Sequence, residues 1–338
     1  MITLGAYVPT PNDGTSWYRS FGALRYCRKD VDVIALNAES DNTWFALARC
    51  DVIYVQRPAV NSSVYHTIFK YAELLNVPLW VDFDDYLWEA PSYNPVAHMF
   101  NTEESRSVVR TALQQAAAVT VTTQALADAF DPLAKLKPIV IPNAWDPNLQ
   151  IIKSEGNNGD PLRIMWRGGH SHGFDLQIGC EFFLNPPENS KMIFLGHCPE
   201  FTFFSPESTT VIQEHMPCPK FLYTMSTLRP DFVVVPLVDN QFNHCKSDIA
   251  YLEATMCGAL CIAPAWEPWL SDKNCLCYDP EKPFREQADK FIADWRDPVK
   301  RAAAVKEAQQ YVREERTTDG QVAAARLNII NRLAGRSS

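Results

Sequence analysis

The feature that most constrains this chain is an alternation that runs along it twice. Short runs rich in β-branched and aromatic residues, ITLGAYV, VDVIAL, DVIYVQ, PLWVDF, AVTVTT and PIVIP, alternate with helical periodicity over 64–75, 103–117 and 124–130. Strands separated by helices become parallel neighbours, because a parallel pair needs a long crossover connection. After position 147 the pattern lapses into KSEGNNGDP, polar and rich in Gly and Asn. It then restarts as LRIMWRG, KMIFLGH, TTVIQE, DFVVVPL, ALCIAP and CLCYD. At 338 residues the chain suits two α/β domains with doubly wound parallel sheets and a cleft between them. The expected units are 1–150 and 161–297, with a linker at 151–160. Residues 298–338 read as an Ala-rich, charged helical tail, broken at TTDG, that packs back across the first domain.

With 46% hydrophobic and 21% charged residues, the chain can bury two cores, which sets aside a disordered protein. No run approaches the 18 or more apolar residues of a membrane span, and the N-terminus lacks the basic and apolar regions of a signal peptide, so a cytoplasmic location is expected. The ten cysteines are scattered, which points to reduced, mostly buried thiols rather than a disulfide framework. A zinc site at His197-Cys198 or His244-Cys245 lacks the C-x-x-C spacing such sites use, and no metal is expected. The net charge of −9 disfavours a broad basic face for nucleic acid.

The most informative stretch is FNHCKSDIAYLEATMCGALCIAP, residues 242–264. Ser247 or Asp248 can cap a helix that follows the strand FVVVPL, and Lys246 adds a positive charge at that helix start. Free N–H groups at a helix start beyond a strand's carboxyl end suit an anion. Glu253 lies two turns beyond Lys246, roughly 10 Å along the axis. That separation fits a diphosphate at one end and a ribose diol, which a carboxylate binds through two hydrogen bonds, at the other. A carboxylate in so apolar a helix is costly without partners. Gly258 marks the helix end. After LRIMW, Arg167 offers a planar fork for phosphate oxygens, and Gly168-Gly169 let the backbone approach a ligand.

In the first half, VDFDDYLWEAP sets Asp82, Asp84 and Asp85 at a strand end. They read as a metal-binding D-x-D, as a phosphatase nucleophile, or as carboxylates capping the next turn. Trp17, Trp80 and Trp88 are core residues or stacking platforms for an acceptor ring. Arg19 serves a ligand or a surface ion pair.

The run 167–264 resembles the donor half of GT-B glycosyltransferases, particularly the retaining family 4, or glycosyl transferases group 1, type. The likeness lies in RGGHSHGFD, matching a G-x-x-x-H…D pattern, and in FNHCKSDIAYLEATMCG, matching F-N-x-x-K-S-D-x-x-Y-x-E-x-x-x-x-G. It implies two Rossmann-like domains, with Arg167 and Lys246 acting on the donor diphosphate. Gly168, Gly169, His170, Ser247 and Asp248 would flank the donor, and Glu253 would hold the nucleotide ribose. The wider family has a Glu eight residues before the ribose Glu, where this chain has Cys245. Asn243, His244 and the backbone around Cys245 would take over the grip on the donor sugar. A similar D-x-D-D-x-x-W segment in one subgroup implies a cleft-facing, catalytic role for Asp84 or Asp85. PNDGTSWYRS resembles the family's first loop, which puts Gly14 and Thr15 near the donor and Ser16, Arg19 and Trp88 near the acceptor. Asn143 in IPNAWDP matches a P-N-x-x-D segment beside the donor.

The function so implied is metal-independent transfer, with retention, of a hexosyl or pentosyl group from a nucleotide-diphosphate sugar to a glycan or small-molecule acceptor, with no cofactor beyond that co-substrate. Two alternatives stay open: a non-catalytic or epimerising nucleotide-sugar-binding protein, and transfer to a modified base in DNA.

Overall fold

The computed structural model describes residues 1–37, 40, 42–59, 62–149, 151, 161–197 and 209–336. Nearly all of the expected linker, together with Cys198 of the zinc reading, lies outside the described residues.

Twelve strands form two six-stranded sheets. The first holds β1 Ile2–Tyr7, β2 Val31–Leu36, β3 Val52–Gln56, β4 Leu79–Phe83, β5 Ala118–Val121 and β6 Ile139–Val140, in the order β2-β1-β3-β4-β5-β6. The second holds β7 Leu162–Gly168, β8 Ser190–Gly196, β9 Thr209–Ile212, β10 Phe232–Val234, β11 Leu260–Pro264 and β12 Leu276–Tyr278, in the order β12-β11-β10-β7-β8-β9. Every strand pairing is parallel. β3 and β4 are buried along their whole length, as strands covered by helices on both faces must be.

Each sheet reverses its direction of growth beside its first strand, between β1 and β3 and between β7 and β10. At such points the loops diverge above and below the sheet and leave a crevice at the strands' carboxyl ends. The two crevices of this molecule open into one cleft.

The C-terminal segment ties the two halves together. Helix Pro298–Glu315 is capped by Asp297 and contributes Ala308 and Val312 to the core around Tyr251 and Leu252. Trp145 then donates its N–H to the Arg316 carbonyl at 2.7 Å, and the Thr318 N–H returns to Trp145 at 2.8 Å. Helix Ala323–Leu333 sets Ile329 and Ile330 against Ile2, Leu4 and Trp80 of the first sheet. The 240–246 segment crosses in the other direction, with Phe242 and Cys245 packed in the core of the first half. Every cysteine among the described residues is a free thiol, and no helix among them is long and apolar enough to cross a membrane.

Candidate active site

The cleft has a volume of about 510 Å³. Its second-domain wall comes from the turn after β7, the loop after β10 and the start of helix Ile249–Met256. Its first-domain wall comes from the turn after β1 and the residues that follow β3 and β4.

Arg167, Lys246, Ser247 and Glu253 meet on the second-domain wall. Glu253 lies inside helix Ile249–Met256, whose residues are buried from Ala250 to Met256, so the carboxylate depends on partners. The Tyr18 hydroxyl donates to its Oε1 at 3.0 Å from the first domain, and Arg167 forms an ion pair with Oε2. Burial pushes the Glu253 carboxyl above its ordinary range, against the pull of Arg167 and Tyr18. The ion pair lacks the alignment of a hydrogen bond, and Nε and Nη2 of Arg167 have no hydrogen-bond partner among the described residues. Two turns away, Lys246 lies over the Phe242 ring at 4.3 Å and reaches Asp85 of the first domain at 3.1 Å. Ser247 Oγ accepts from Asn143 Nδ2 at 2.9 Å, another bond across the cleft.

On the first-domain wall, Arg57 grips Asp84 through two bonds, at 2.9 and 2.5 Å, and also donates to Thr15 Oγ1. Burial alone would raise the Asp84 carboxyl, but the Arg57 charge and its hydrogen bonds hold it below the usual range. Arg57 stands at φ +48°, a left-handed conformation uncommon for a non-glycine residue, and its N–H donates to the Asp82 carbonyl at 2.8 Å. Strain of this kind persists only where surrounding contacts over-determine it, and here it turns the guanidinium onto Asp84.

Behind this wall, Arg19 and Asp82 are both fully buried and joined by two hydrogen bonds, at 3.0 and 2.7 Å, with Arg19 also donating to the Ile141 carbonyl and Asn143. Arg19 thus braces the wall and also borders the cleft, with its guanidinium committed to Asp82, Ile141 and Asn143. Ser16, expected near the acceptor, does not line the cleft; it is fully buried and shares a hydrogen bond with Ser20. Trp88 packs against Tyr86 and Phe130 in the core. The carboxylates of the D-x-D segment do not act together, because Asp82, Asp84 and Asp85 each pair with a different cation.

Further corrections concern the donor side. Asp248 occupies the N-cap position without a side-chain cap bond, because its carboxylate turns to Arg316 at 2.6 Å. Cys245 is buried against the first domain, where its carbonyl accepts from Thr123 at 2.9 Å and burial pushes its thiol up to about 12. Asn243 is buried on Asp175 at 2.8 Å, and His244 stacks on Trp266 at 4.3 Å while bonding Asp239. None of these last three lines the cleft. The substitute grip on the donor expected of Asn243, His244 and Cys245 is thus absent from this arrangement.

Gly14, Thr15, Asn143 and Gly169 do line the cleft. Gly14, Gly168, Gly169 and His170 border an adjoining cavity of about 460 Å³ that shares Arg167 and Glu253 with the cleft and continues past Gly196, His197 and the 213–216 segment. Gly196 is required there. It adopts φ +106°, and a Cβ would stand 2.4 Å from the Gly168 carbonyl oxygen.

The sequence reading does not mark three residues of the cleft, Tyr18, Arg57 and His172, as site residues, nor Asp175, which is buried behind His172. The pattern G-x-x-x-H…D contains the last two and was the available signal. Nothing in the sequence around Tyr18 or Arg57 marks them.

Two facing doubly wound parallel sheets, with a C-terminal helix crossing back to the first, make this the GT-B glycosyltransferase fold. No family model and no curated protein matches the sequence, so the likeness is one of structure. Anabaena Alr3699/HepE in complex with UDP and glucose is 14% identical, with a TM-score of 0.67 over 97% of this chain and 100% of that one. An α,α-trehalose-phosphate synthase (UDP-forming) from Burkholderia vietnamiensis is 8% identical, with a TM-score of 0.58 over 97% and 100%. A mutant S. aureus TarM in complex with Fondaparinux, alpha-GlcNAc-glycerol and UDP is 12% identical, with a TM-score of 0.59 over 86% of this chain and 59% of that one.

Proposed function

We propose that this protein is a glycosyltransferase that moves a hexosyl or pentosyl group from a nucleotide-diphosphate sugar to a hydroxyl-bearing acceptor, with retention of anomeric configuration and without a metal ion or other cofactor. The observation that carries this reading is the convergence of Arg167, Lys246 and Glu253, with the start of helix Ile249–Met256, at the switch point of the second sheet. The neighbours crystallised with UDP support a nucleotide-sugar donor.

In this reading the bond from the anomeric carbon to phosphate oxygen breaks, and its electrons pass to the departing diphosphate. Lys246, Arg167 and the helix N–H groups stabilise that charge through dipoles and cations already in position, which is where such sites lower the barrier most. The ribose diol takes the place of the Tyr18 hydroxyl on Glu253. The acceptor hydroxyl attacks the anomeric carbon, and its proton leaves with a diphosphate oxygen. Asp85, freed when Lys246 turns to the diphosphate, orients that hydroxyl.

Acidic Asp13, Asp84 and Asp85 are interspersed with Arg57 and Lys246 around the cleft. This mixture favours a glycan or small molecule over a DNA strand, which needs a continuous positive track.

Incubation with UDP-, GDP-, ADP- and CMP-sugars tests the reading through the release of free nucleotide. Release that persists under a chelator and falls at least about 100-fold in Lys246→Ala is expected. Binding without release identifies a nucleotide-sugar-binding protein. Activity that vanishes on chelation and returns with a divalent ion overturns the metal-independent mechanism.

A further inference from the structure

We propose that His172 is a further catalytic residue of this cleft: its Nε2 takes up a proton when the donor diphosphate enters and donates a hydrogen bond to a phosphate oxygen as the sugar departs. This rests on the nucleotide-sugar function proposed above.

His172 closes the short turn His170–His172 that follows β7, and its side chain lines the cleft. Nδ1 lies 3.2 Å from Asp175 Oδ2. Asp175 is itself fixed, since its Oδ1 accepts from the Val238 N–H at 3.1 Å and from Asn243 Nδ2 at 2.8 Å. The carboxylate is thus anchored by the loop after β10 and by helix Gln241–His244, and it holds the imidazole by one edge. A carboxylate on Nδ1 selects the tautomer protonated there and leaves Nε2 as the free basic nitrogen. Among the described residues nothing hydrogen-bonds to Nε2. The buried Asn243, expected from the sequence to touch the donor, acts here through Asp175.

The charged groups that act on the ring are Asp175 on its own turn, Lys246 before the helix Ile249–Met256 and Asp85 from the first domain. Burial and the Lys246 charge hold the imidazole below its ordinary value, against Asp175 and Asp85. Without an anion beside it the ring therefore favours its neutral form. A diphosphate carrying two negative charges offsets Lys246 and favours imidazolium.

The proton balance closes over one cycle. A solvent proton joins Nε2 as the donor binds. The bond from carbon to phosphate oxygen breaks while Nε2–H remains a hydrogen-bond donor to that phosphate, and the acceptor proton leaves with the nucleoside diphosphate. Nε2 returns its proton to solvent when the product departs.

Calorimetric titration of the full chain with UDP, in two buffers of different ionisation enthalpy at neutral pH, measures the protons taken up on binding. If UDP gives no heat, GDP and ADP are titrated in turn. Wild type is expected to take up a substantial fraction of one proton, and His172→Gln essentially none. His172→Gln should bind more weakly and turn over about 100-fold more slowly. His172→Lys keeps a permanent cation, so it should bind without proton uptake and recover turnover at alkaline pH. Unchanged proton uptake in His172→Gln overturns the assignment, as does a His172→Lys variant no more active than the glutamine variant. If none of the three nucleotides binds wild type, the function proposed above falls, and this proposal falls with it.

Discussion

At the residue scale, the cleft is built on charged groups set in an apolar or Gly-rich context. Lys246, Glu253 and Arg167 all reach the cleft, because a charge placed where burial is expected must be held by something. Tyr18 was not legible. Its partner Glu253 lies 235 positions away, and a tyrosine in a short N-terminal helix carries no trace of that distance. Removing its hydroxyl tests the exchange assumed at the ribose. In Tyr18→Phe the buried Glu253 carboxylate loses the Tyr18 hydrogen bond, which costs about 1–3 kcal/mol. Lower stability in urea is therefore expected together with tighter nucleotide binding, since the ribose no longer displaces a phenol. Weaker nucleotide binding would show that Tyr18 holds the ligand instead of yielding to it.

A second residue-scale prediction concerns Arg316, which holds Asp248 at 2.6 Å and Asp272 at 3.0 Å. Burial and the neighbouring Asp248 charge push the Asp272 carboxyl up to about 10, and its Oδ2 has no hydrogen-bond partner among the described residues. The folded state thus keeps a proton that the unfolded chain releases near 3.8. With the folded value raised, this group's contribution is full below the unfolded value and is lost as pH rises toward about 10. Asp272→Asn imitates the protonated acid. It should raise the thermal midpoint slightly at pH 5 and far more at pH 9, and a variant that parallels wild type at both pH values would sink the assignment.

At the element scale, the strand and helix alternation was legible through its period, and the ends were not. Helical periodicity carried the helix after Thr102 to 117, but it stops at Gln115 because Ala116 turns to extended backbone at ψ 134°. DFVVVPL reads as a long strand, yet the strand spans Phe232–Val234; Val235 still donates to the Ile262 carbonyl of β11, and residues 235–237 line the cleft. The turns after β7 and β8 are a coupled pair, because Gly196 touches the Gly168 carbonyl that begins the Arg167 turn. In Gly196→Ala a methyl group must displace that carbonyl from a positive-φ position, which costs about 1–3 kcal/mol. A lower thermal midpoint is expected along with weakened nucleotide binding, since the strain is relieved by moving the turn that carries Arg167. Full affinity at reduced stability would mean that the two turns are independent.

For the whole molecule, the two-sheet plan was readable from the doubled alternation, whereas the closure of the cleft was not, because it depends on side chains that meet only after both halves have folded. Lys246 to Asp85, Tyr18 to Glu253, Asn143 to Ser247 and Thr123 to the Cys245 carbonyl all cross between the halves. Two of these bonds use Lys246 and Glu253, so in the proposed mechanism a nucleotide sugar exchanges partners with the first domain as it binds. Asp85→Asn separates the two consequences of that exchange. Lys246 and Asp85 are partly exposed, at 12% and 20%, so their pairing is worth no more than about 1 kcal/mol. Releasing Lys246 should therefore tighten nucleoside diphosphate binding by up to about fivefold. In the proposed mechanism the same change removes the carboxylate that orients the acceptor, and turnover should fall by about 100-fold or more. Calorimetry and steady-state kinetics on this one variant give the two numbers. Affinity and turnover that rise together would make Asp85 only a lock on Lys246, and affinity and turnover that fall together would return it to the donor site.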